Sequence, residues 1–338
     1  MSPAVNRQWV LIERPADVVA DHQFQLRSVP VPVPGPDEAL VRVVWLGIDP
    51  TQRTWLNEDL AYISPVRVGE VMRGSGVGQV VVSNTKRLEV GDWVAGLVGW
   101  QDYVLTGREG LFGLNRVPDG IDPKAMLSVY GVNGLTAYFG IMDIGKPIAG
   151  DTVFVSAAAG SVGSIAGQIA KIRGCRVIGS AGGAAKCAWV INVAGFDACI
   201  DYKAVDPEGR LRELAPAGVN VFFDNVGGAI LEATLANLAL HARVVLCGSI
   251  SSGYTSKGYG LAPRNYMELG FRRARMEGFI FLDYVTRFPE AFRDLTSWVS
   301  EKRIAYAEDI VDGLERAPAL LQGLFEGKNL GKQLLRIT

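Results

Sequence analysis

The sequence predicts an α/β protein, a β-rich N-terminal lobe followed by a parallel sheet wrapped by helices. Three observations carry this. A chain of 338 residues, set against about 100–200 residues per domain, makes two domains. Short β-forming runs cut by Gly and Pro fill the first 130 residues, the pattern of an antiparallel, barrel-like region. From residue 150 onward the pattern becomes β then α, repeated, which is what a parallel sheet with crossover helices requires.

In the first region LVRVVW, VGQVVV, DWVAGLV and DYVLT read as strands, bounded by PGPDE, GSG and VGD. Pro30, Pro32, Pro34 and Pro36 alternate with Val and Gly. Proline fixes φ and removes a donor, so this stretch is an extended, rigid connector. In the second region TVFVS is a strand that turns into a helix running to Arg173. RVIGS is a strand followed by a helix from Ala184, and ACI, NVFFD and RVVLC are further strands. Gly174 follows Lys171 and Arg173, a helix stop with cations near the negative end of the dipole. The final segment, EDIVDGLERAPALLQGLFEGKNLGKQLLRIT, supplies a helix, a Gly-rich turn and a terminal strand. A lone strand outside the parallel sheet needs a partner, so the tail returns to the first lobe.

Apolar residues make up 49% and charged residues 20%, which excludes intrinsic disorder. Lys+Arg (34) nearly cancel Asp+Glu (35). No global field draws nucleic acid or anionic lipid, and phosphate binding must come from a local set of donors. The expected partner is a small molecule. Cys175, Cys187, Cys199 and Cys247 contain no CxxC pair and read as reduced thiols. The N-terminus shows no secretory pattern, so a cytoplasmic location is expected. Residues 152–170 lack a formal charge, but three glycines and three serines interrupt them, so a strand-to-helix passage explains them better than a membrane span.

The most informative motif follows TVFVS: Ala157-Ala158-Ala159-Gly160-Ser161-Val162-Gly163 opening a helix. A glycine pattern is weak by itself; between a strand and a helix of a βαβ unit it reads as a dinucleotide site. Gly160 lets the backbone approach a pyrophosphate, Gly163 lets the helix pack close, and unpaired N–H groups at the helix start face the anion. Ala158 stands where the fingerprint has its first glycine, and an ordinary tight turn is the alternative. NAD sites carry an acid about 20 residues further on, for the ribose hydroxyls. No Asp or Glu occurs from Thr152 to Phe196, and Lys186 sits just past Gly182-Gly183. A carboxylate there would repel a 2′-phosphate by about 4 kcal/mol at 4 Å and an effective dielectric near 20. The pattern favours NADP.

Other chemistries lack their residues. The N-terminal half holds one histidine, His22, and no cysteine precedes Cys175, so a catalytic zinc is disfavoured and no metal is expected. Tyr254 and Lys257 are one residue short of a Tyr-x-x-x-Lys pair. GKNLGK is one residue short of a P-loop and lacks the following Ser or Thr. No GxSxG elbow occurs. Hydride transfer without a metal remains.

The ordered set AAAGSVG, Lys186, DYK (201–203), FDNVGG (223–228), CGSIS (247–251), RMEGFIF (275–281) and GKNLGK (327–332) resembles the zinc-independent medium-chain dehydrogenases/reductases. Within them it is similar to the prostaglandin reductase, alkenal double-bond reductase and curcumin reductase branch. The resemblance covers nearly the whole chain. It implies a GroES-like catalytic lobe over residues 1–130 completed by 303–338, a Rossmann NADP-binding domain over 131–302, and a cleft between them. It also implies that NADPH is held by Gly160, Ser161, Val162, Gly163, Lys186 and Tyr202 at the adenosine phosphates. Towards the nicotinamide it implies Asn225, the turn Cys247, Gly248, Ser249, Ile250 and Ser251, the run Phe279, Ile280 and Phe281, and Asn329.

The family reduces the C=C bond of α,β-unsaturated ketones and aldehydes, with hydride passing from nicotinamide C4 to the β-carbon and a donor near the enolate oxygen. The chain departs from the family pattern in two places. Thr51 in Asp49-Pro50-Thr51-Gln52-Arg53 and Phe271 replace pocket tyrosines. Tyr62 matches a position with a pocket tyrosine in relatives and is the expected substrate-orienting donor, with Thr51, Tyr254 and Phe271 lining the pocket. The competing readings are quinone reduction on the same scaffold and a non-catalytic NADPH-binding sensor. A homodimer is expected from the resemblance.

Overall fold

The computed structural model describes residues 5–58, 63–107, 113–255 and 263–337. The chain divides into two compact units, one of residues 1–128, 254–258 and 308–338, the other of residues 129–253 and 259–307.

In the first unit β1 (Val5–Leu11) and β2 (Phe24–Pro30) pair antiparallel as a separate ribbon. The sequence reading did not single these strands out. Then come β3 (Ala39–Ile48), β4 (Ser75–Ser83), β5 (Trp93–Leu97), β6 (Tyr103–Leu105) and β7 (Asn115–Arg116). β3 pairs antiparallel with both β4 and β6, and β5 with β4 and β7. A 3₁₀ turn, Pro50–Leu56, follows β3. It sends Trp55 and Leu56 into a core shared with Leu11, Val41, Val43 and Trp100.

The second unit opens with α1 (Val132–Phe139), which runs into a π-helical turn, Gly140–Gly145, that the sequence reading did not anticipate. Then β8 (Thr152–Val155), α2 (Ser161–Ile172), β9 (Arg176–Ala181), α3 (Ala184–Asn192), β10 (Ala198–Asp201), α4 (Pro207–Leu214), β11 (Val219–Asp224), α5 (Gly228–Leu235) and β12 (Leu238–Leu246) alternate strictly. Short α6 (Glu268–Phe271), β13 (Arg275–Gly278) and α7 (Phe288–Ser300) complete the unit. Its six strands are ordered β10-β9-β8-β11-β12-β13 and all pair in parallel. Counted along this unit the order is 3-2-1-4-5-6, so the order in which strands are added reverses between β8 and β11. At such a switch point the loops after the strands part and leave a crevice for a ligand. Phe154, Ile178, Phe222 and Val244 fill the core on one face, each at most 1% exposed.

The chain then supplies β14 (Glu308–Asp312), α8 (Ala317–Phe325) and β15 (Lys332–Arg336) to the first unit. β15 pairs antiparallel with β3 and parallel with β14, making a mixed sheet of seven strands. EDIVD is therefore an edge strand, where the sequence reading saw only a helix, a turn and one strand. Lys332, 2% exposed, lies 2.5 Å from Asp49 Oδ1. Burial pushes its ammonium pKa down despite that partner. Among the described residues no helix is long and apolar enough to cross a membrane.

Candidate functional site

The loops after all six strands of the second unit carry residues singled out from the sequence. After β8, Ser156 is fully buried and Ala157 takes a left-handed φ of +49°. Gly160 caps α2 with extended backbone, and no side chain caps that helix. Among the described residues the first-turn N–H groups of Ser161, Val162 and Gly163 meet no acceptor, and the helix dipole favours an anion there. A Cβ at Gly163 would stand 2.4 Å from Ala157 O, which obliges glycine where α2 packs on the turn. At Gly160 the nearest atom to an added Cβ is Ala157 O at 3.1 Å, so its outer side is open.

Ala158 is accommodated by a compensating glycine. Its N–H donates to Ser180 O at 2.8 Å, and an added Cβ at Gly179 would stand 2.6 Å from Ala158 Cβ. The methyl group thus occupies space that β9 vacates. The left-handed residue of the turn is Ala157, one position earlier.

After β9, Gly182 and Gly183 make the turn into α3, with Gly183 at φ +103°. Lys186 stands in the first turn of α3 and is half-buried. After β10, Tyr202 is 41% exposed and its hydroxyl lies over Gly182, 2.7 Å from where a Cβ would be. Asp201 Oδ1 accepts from Gly183 N–H at 2.9 Å and joins the two loops. The structure thus brings Tyr202 onto the turn that precedes Lys186.

Across the switch point, Asp224 and Ser156 form a network that the sequence reading missed, although FDNVGG and TVFVS both contained its members. Ser156 Oγ donates to Asp224 Oδ1 at 2.9 Å and accepts from Asn225 N–H at 2.8 Å. Asn225 Nδ2 donates to Ser156 O at 2.7 Å. Asp224 also accepts from Val226 and Gly227 N–H, at 2.9 and 3.0 Å. Burial still pushes its carboxyl upward against these bonds. Cys247 and Gly248 N–H donate to Asp224 O, and Ile250 and Ser251 N–H to Asn225 O and Val226 O. The turn Cys247, Gly248, Ser249, Ile250 and Ser251 is thereby fixed beside Asn225. Burial, then the Asp224 charge, pushes the Cys247 thiol up to about 12. It remains a protonated thiol at neutral pH and is no nucleophile.

After β13, Phe279 packs on Gly140, where an added Cβ would stand 2.7 Å from Phe279 Cζ and 2.5 Å from Phe223 Cε2. Ile280 is extended, and the Phe281 ring stacks on Phe288 with centroids 5.9 Å apart. Phe271, at the end of α6, is 69% exposed.

The remaining residues belong to the first unit. Thr51 lies in the turn Pro50–Leu56 and accepts at its carbonyl from Thr54 Oγ1 at 2.7 Å. Tyr254 adopts φ +49°, accepts at its carbonyl from Asn57 Nδ2 at 2.9 Å and packs edge-on against Phe325. Asn57 in turn accepts at 2.6 Å from buried Arg53. Asn329 donates to Gly331 O at 2.8 Å in the turn before β15. Tyr62 lies outside the described residues. No three His, Cys, Asp or Glu side chains group as a metal site among the described residues.

Residues 7–114 match the family model described as the N-terminal domain of oxidoreductase, and residues 161–301 the one described as zinc-binding dehydrogenase. The chain is 41% identical to the NADPH-dependent curcumin reductase of Escherichia coli, covering 98% of this chain and 97% of that one. It is 33% identical to the NADP(+)-dependent 2-alkenal reductase of Nicotiana tabacum, with 98% of each covered. The crystal structure of CurA from Vibrio vulnificus in complex with NADPH superposes with a TM-score of 0.91 at 41% identity, covering 98% of this chain and 99% of that one. The chain belongs to the zinc-independent medium-chain dehydrogenases/reductases. Membership makes it an oxidoreductase and gives its two units their family descriptions, a catalytic lobe with a mixed sheet and a Rossmann-like domain with a parallel one. In this medium-chain dehydrogenase/reductase the fingerprint loop, the Gly182-Gly183 turn and the Asp224 network all lie at strand C-terminal ends of the Rossmann-like sheet.

Proposed function

We propose that this protein reduces the C=C bond of α,β-unsaturated ketones and aldehydes with NADPH and without a metal. The observation that carries the reading is the set of free donors at the end of β8, beside the switch point, with Lys186 and Tyr202 gathered at the ends of β9 and β10. It is supported by the similarity to the curcumin and 2-alkenal reductases and to the NADPH-bound structure.

In this reading Gly160 leaves room for the pyrophosphate, and the N–H groups of Ser161, Val162 and Gly163 donate to it. Lys186 and Tyr202 donate to the 2′-phosphate through charge-assisted bonds. Asn225, the 247–251 turn and the backbone of Phe279, Ile280 and Phe281 orient the nicotinamide end, and Asn329 holds phosphate or ribose. NADPH bound there supplies the hydride for the β-carbon. Tyr62 donates to the substrate oxygen as negative charge develops on it. Thr51, Tyr254 and Phe271 shape the pocket and set its substrate range. The working form is a homodimer taking small unsaturated carbonyl compounds.

The test follows NADPH oxidation with a panel of enals, enones and a quinone, with and without a chelator, and repeats it with NADH. Chelator-resistant, NADPH-preferring conversion of enones to saturated carbonyls is expected, with turnover lowered in Tyr62→Phe. Turnover of the quinone alone, or tight NADPH binding with no turnover of any acceptor, would overturn the proposal.

A further inference from the structure

The turn after β9 is covered by two side chains of the neighbouring loop. An added Cβ at Gly182 would stand 2.7 Å from the Tyr202 hydroxyl, 3.0 Å from Tyr202 Cζ and 2.9 Å from Lys203 Cε. Tyr202 and Lys203 lie in the turn after β10, and both side chains fold back over the same glycine. The cause is the Asp201 carboxylate, whose Oδ1 accepts from Lys203 N–H at 3.1 Å and from Gly183 N–H at 2.9 Å. That clamp turns the chain after β10 onto the Gly182-Gly183 turn. It also commits Asp201 Oδ1 to two backbone donors. The Lys203 side chain itself has no carboxylate partner among the described residues. An exposed lysine lying over a glycine, without an ion pair to hold it there, is an ammonium left for another anion.

We propose that Lys203 is a second cation of the 2′-phosphate subsite, acting beside Lys186 and Tyr202 to select NADPH over NADH. The inference rests on the NADPH reading and adds a residue to it. A phosphate monoester carries about −1.5 to −2 charges at neutral pH and three strong acceptor oxygens. One lysine neutralises roughly half of that charge. The Tyr202 hydroxyl supplies a donor without charge, so a second ammonium over the Gly182-Gly183 turn brings the cationic charge close to that of the phosphate. Lys203 meets the phosphate as a mobile point charge, which suits an exposed corner.

The test uses the full-length apoprotein and calorimetric titration with 2′,5′-ADP, 5′-ADP and NADPH, so that binding is read apart from turnover. Lys203→Ala should weaken 2′,5′-ADP and NADPH about tenfold, the scale of one charge-assisted bond, and leave 5′-ADP unchanged. Lys203→Arg should retain most of the affinity, and the salt dependence of 2′,5′-ADP binding should be shallower in Lys203→Ala than in the parent. The exposed position makes loss of folding a poor alternative, and an unchanged melting temperature checks it. If Lys186→Ala discriminates between the two nucleotides while Lys203→Ala matches the parent, the role of Lys203 is overturned and the NADPH reading stands. If the parent itself binds 2′,5′-ADP no better than 5′-ADP, both fall.

Discussion

Replacing either glycine of the fingerprint loop by alanine should separate folding from binding. At Gly163 the new methyl would meet three backbone atoms, Ala157 O at 2.4 Å, Ala157 C at 3.0 Å and Ala158 Cα at 3.2 Å. Backbone cannot swing aside, so α2 must lift away from the turn, an overpacking cost of about 1–3 kcal/mol. The better helix propensity of alanine offsets up to about 1 kcal/mol. A net loss of about 1–2 kcal/mol lowers the melting temperature by about 2–8 °C in a domain of this size. The displaced helix start should also weaken NADPH binding.

At Gly160 the backbone has φ −83°, and among the described residues beyond its chain neighbours the atom closest to an added Cβ is Ala157 O at 3.1 Å. Alanine fits there with a stability change within about 0.5 kcal/mol, but its methyl takes the space proposed for the pyrophosphate. NADPH affinity should fall at least tenfold, about 1.4 kcal/mol, with the melting temperature unchanged. Thermal unfolding of the apoprotein and titration by NADPH fluorescence read the two effects independently. A Gly163→Ala protein as stable as the parent, or a Gly160→Ala protein that binds NADPH normally, would refute the reasoning.

The same packing logic extends to Gly179→Ala, whose methyl would lie 2.6 Å from Ala158 Cβ. It should destabilise by about 1–3 kcal/mol, and Ala158→Gly should restore most of that in a double-mutant cycle by chemical denaturation. Lys332→Met leaves the Asp49 carboxylate without its buried partner and should cost towards the low end of about 3–5 kcal/mol, since Asp49 keeps some contact with water; adding Asp49→Asn should recover part of it. With its thiol pushed up to about 12, Cys247 should react with iodoacetamide at about pH 8 more than a hundredfold more slowly than a free cysteine of pKa about 8.5. Because the raised pKa favours the neutral thiol, the rate should keep rising about tenfold per pH unit beyond about pH 8.5, where a free cysteine levels off, as timed alkylation and peptide mass spectrometry would show.

The parallel sheet was legible because each TVFVS-like run is short, β-branched and followed by a helical stretch, so period and length agreed. The reason for Gly163 was legible too, since a helix start over a tight turn leaves no room for a side chain. What sequence could not supply was adjacency. The order 3-2-1-4-5-6 depends on crossovers that no local pattern encodes, so nothing in FDNVGG revealed that Asp224 would meet Ser156 from a strand 68 residues earlier. β1 and β2 escaped notice because their exposure alternates poorly: β2 shows four consecutive exposed residues. EDIVD carries charge at both ends and sits at a sheet edge, where hydrophobic periodicity is weakest. Tyr62 was named from resemblance alone.

A chain with net charge −1 has no long-range field with which to recruit a dinucleotide phosphate, so selectivity has to come from donors fixed at short range. The second unit provides them by dividing the labour. Strands such as β8 and β11 are buried and carry the stability. Their C-terminal loops are held by polar clamps, Asp224 on Ser156 and Asp201 on Gly183, that consume the local carboxylates. Each clamp does two things. It fixes a turn at the end of a strand, and the donors it engages offset part of the carboxylate's repulsion of phosphate. An aspartate near a phosphate site is therefore a weaker argument against phosphate when backbone N–H groups bonded to it offset part of its charge. That is why the absence of acids before Phe196 was informative, while the presence of Asp201 just after it is not a contradiction.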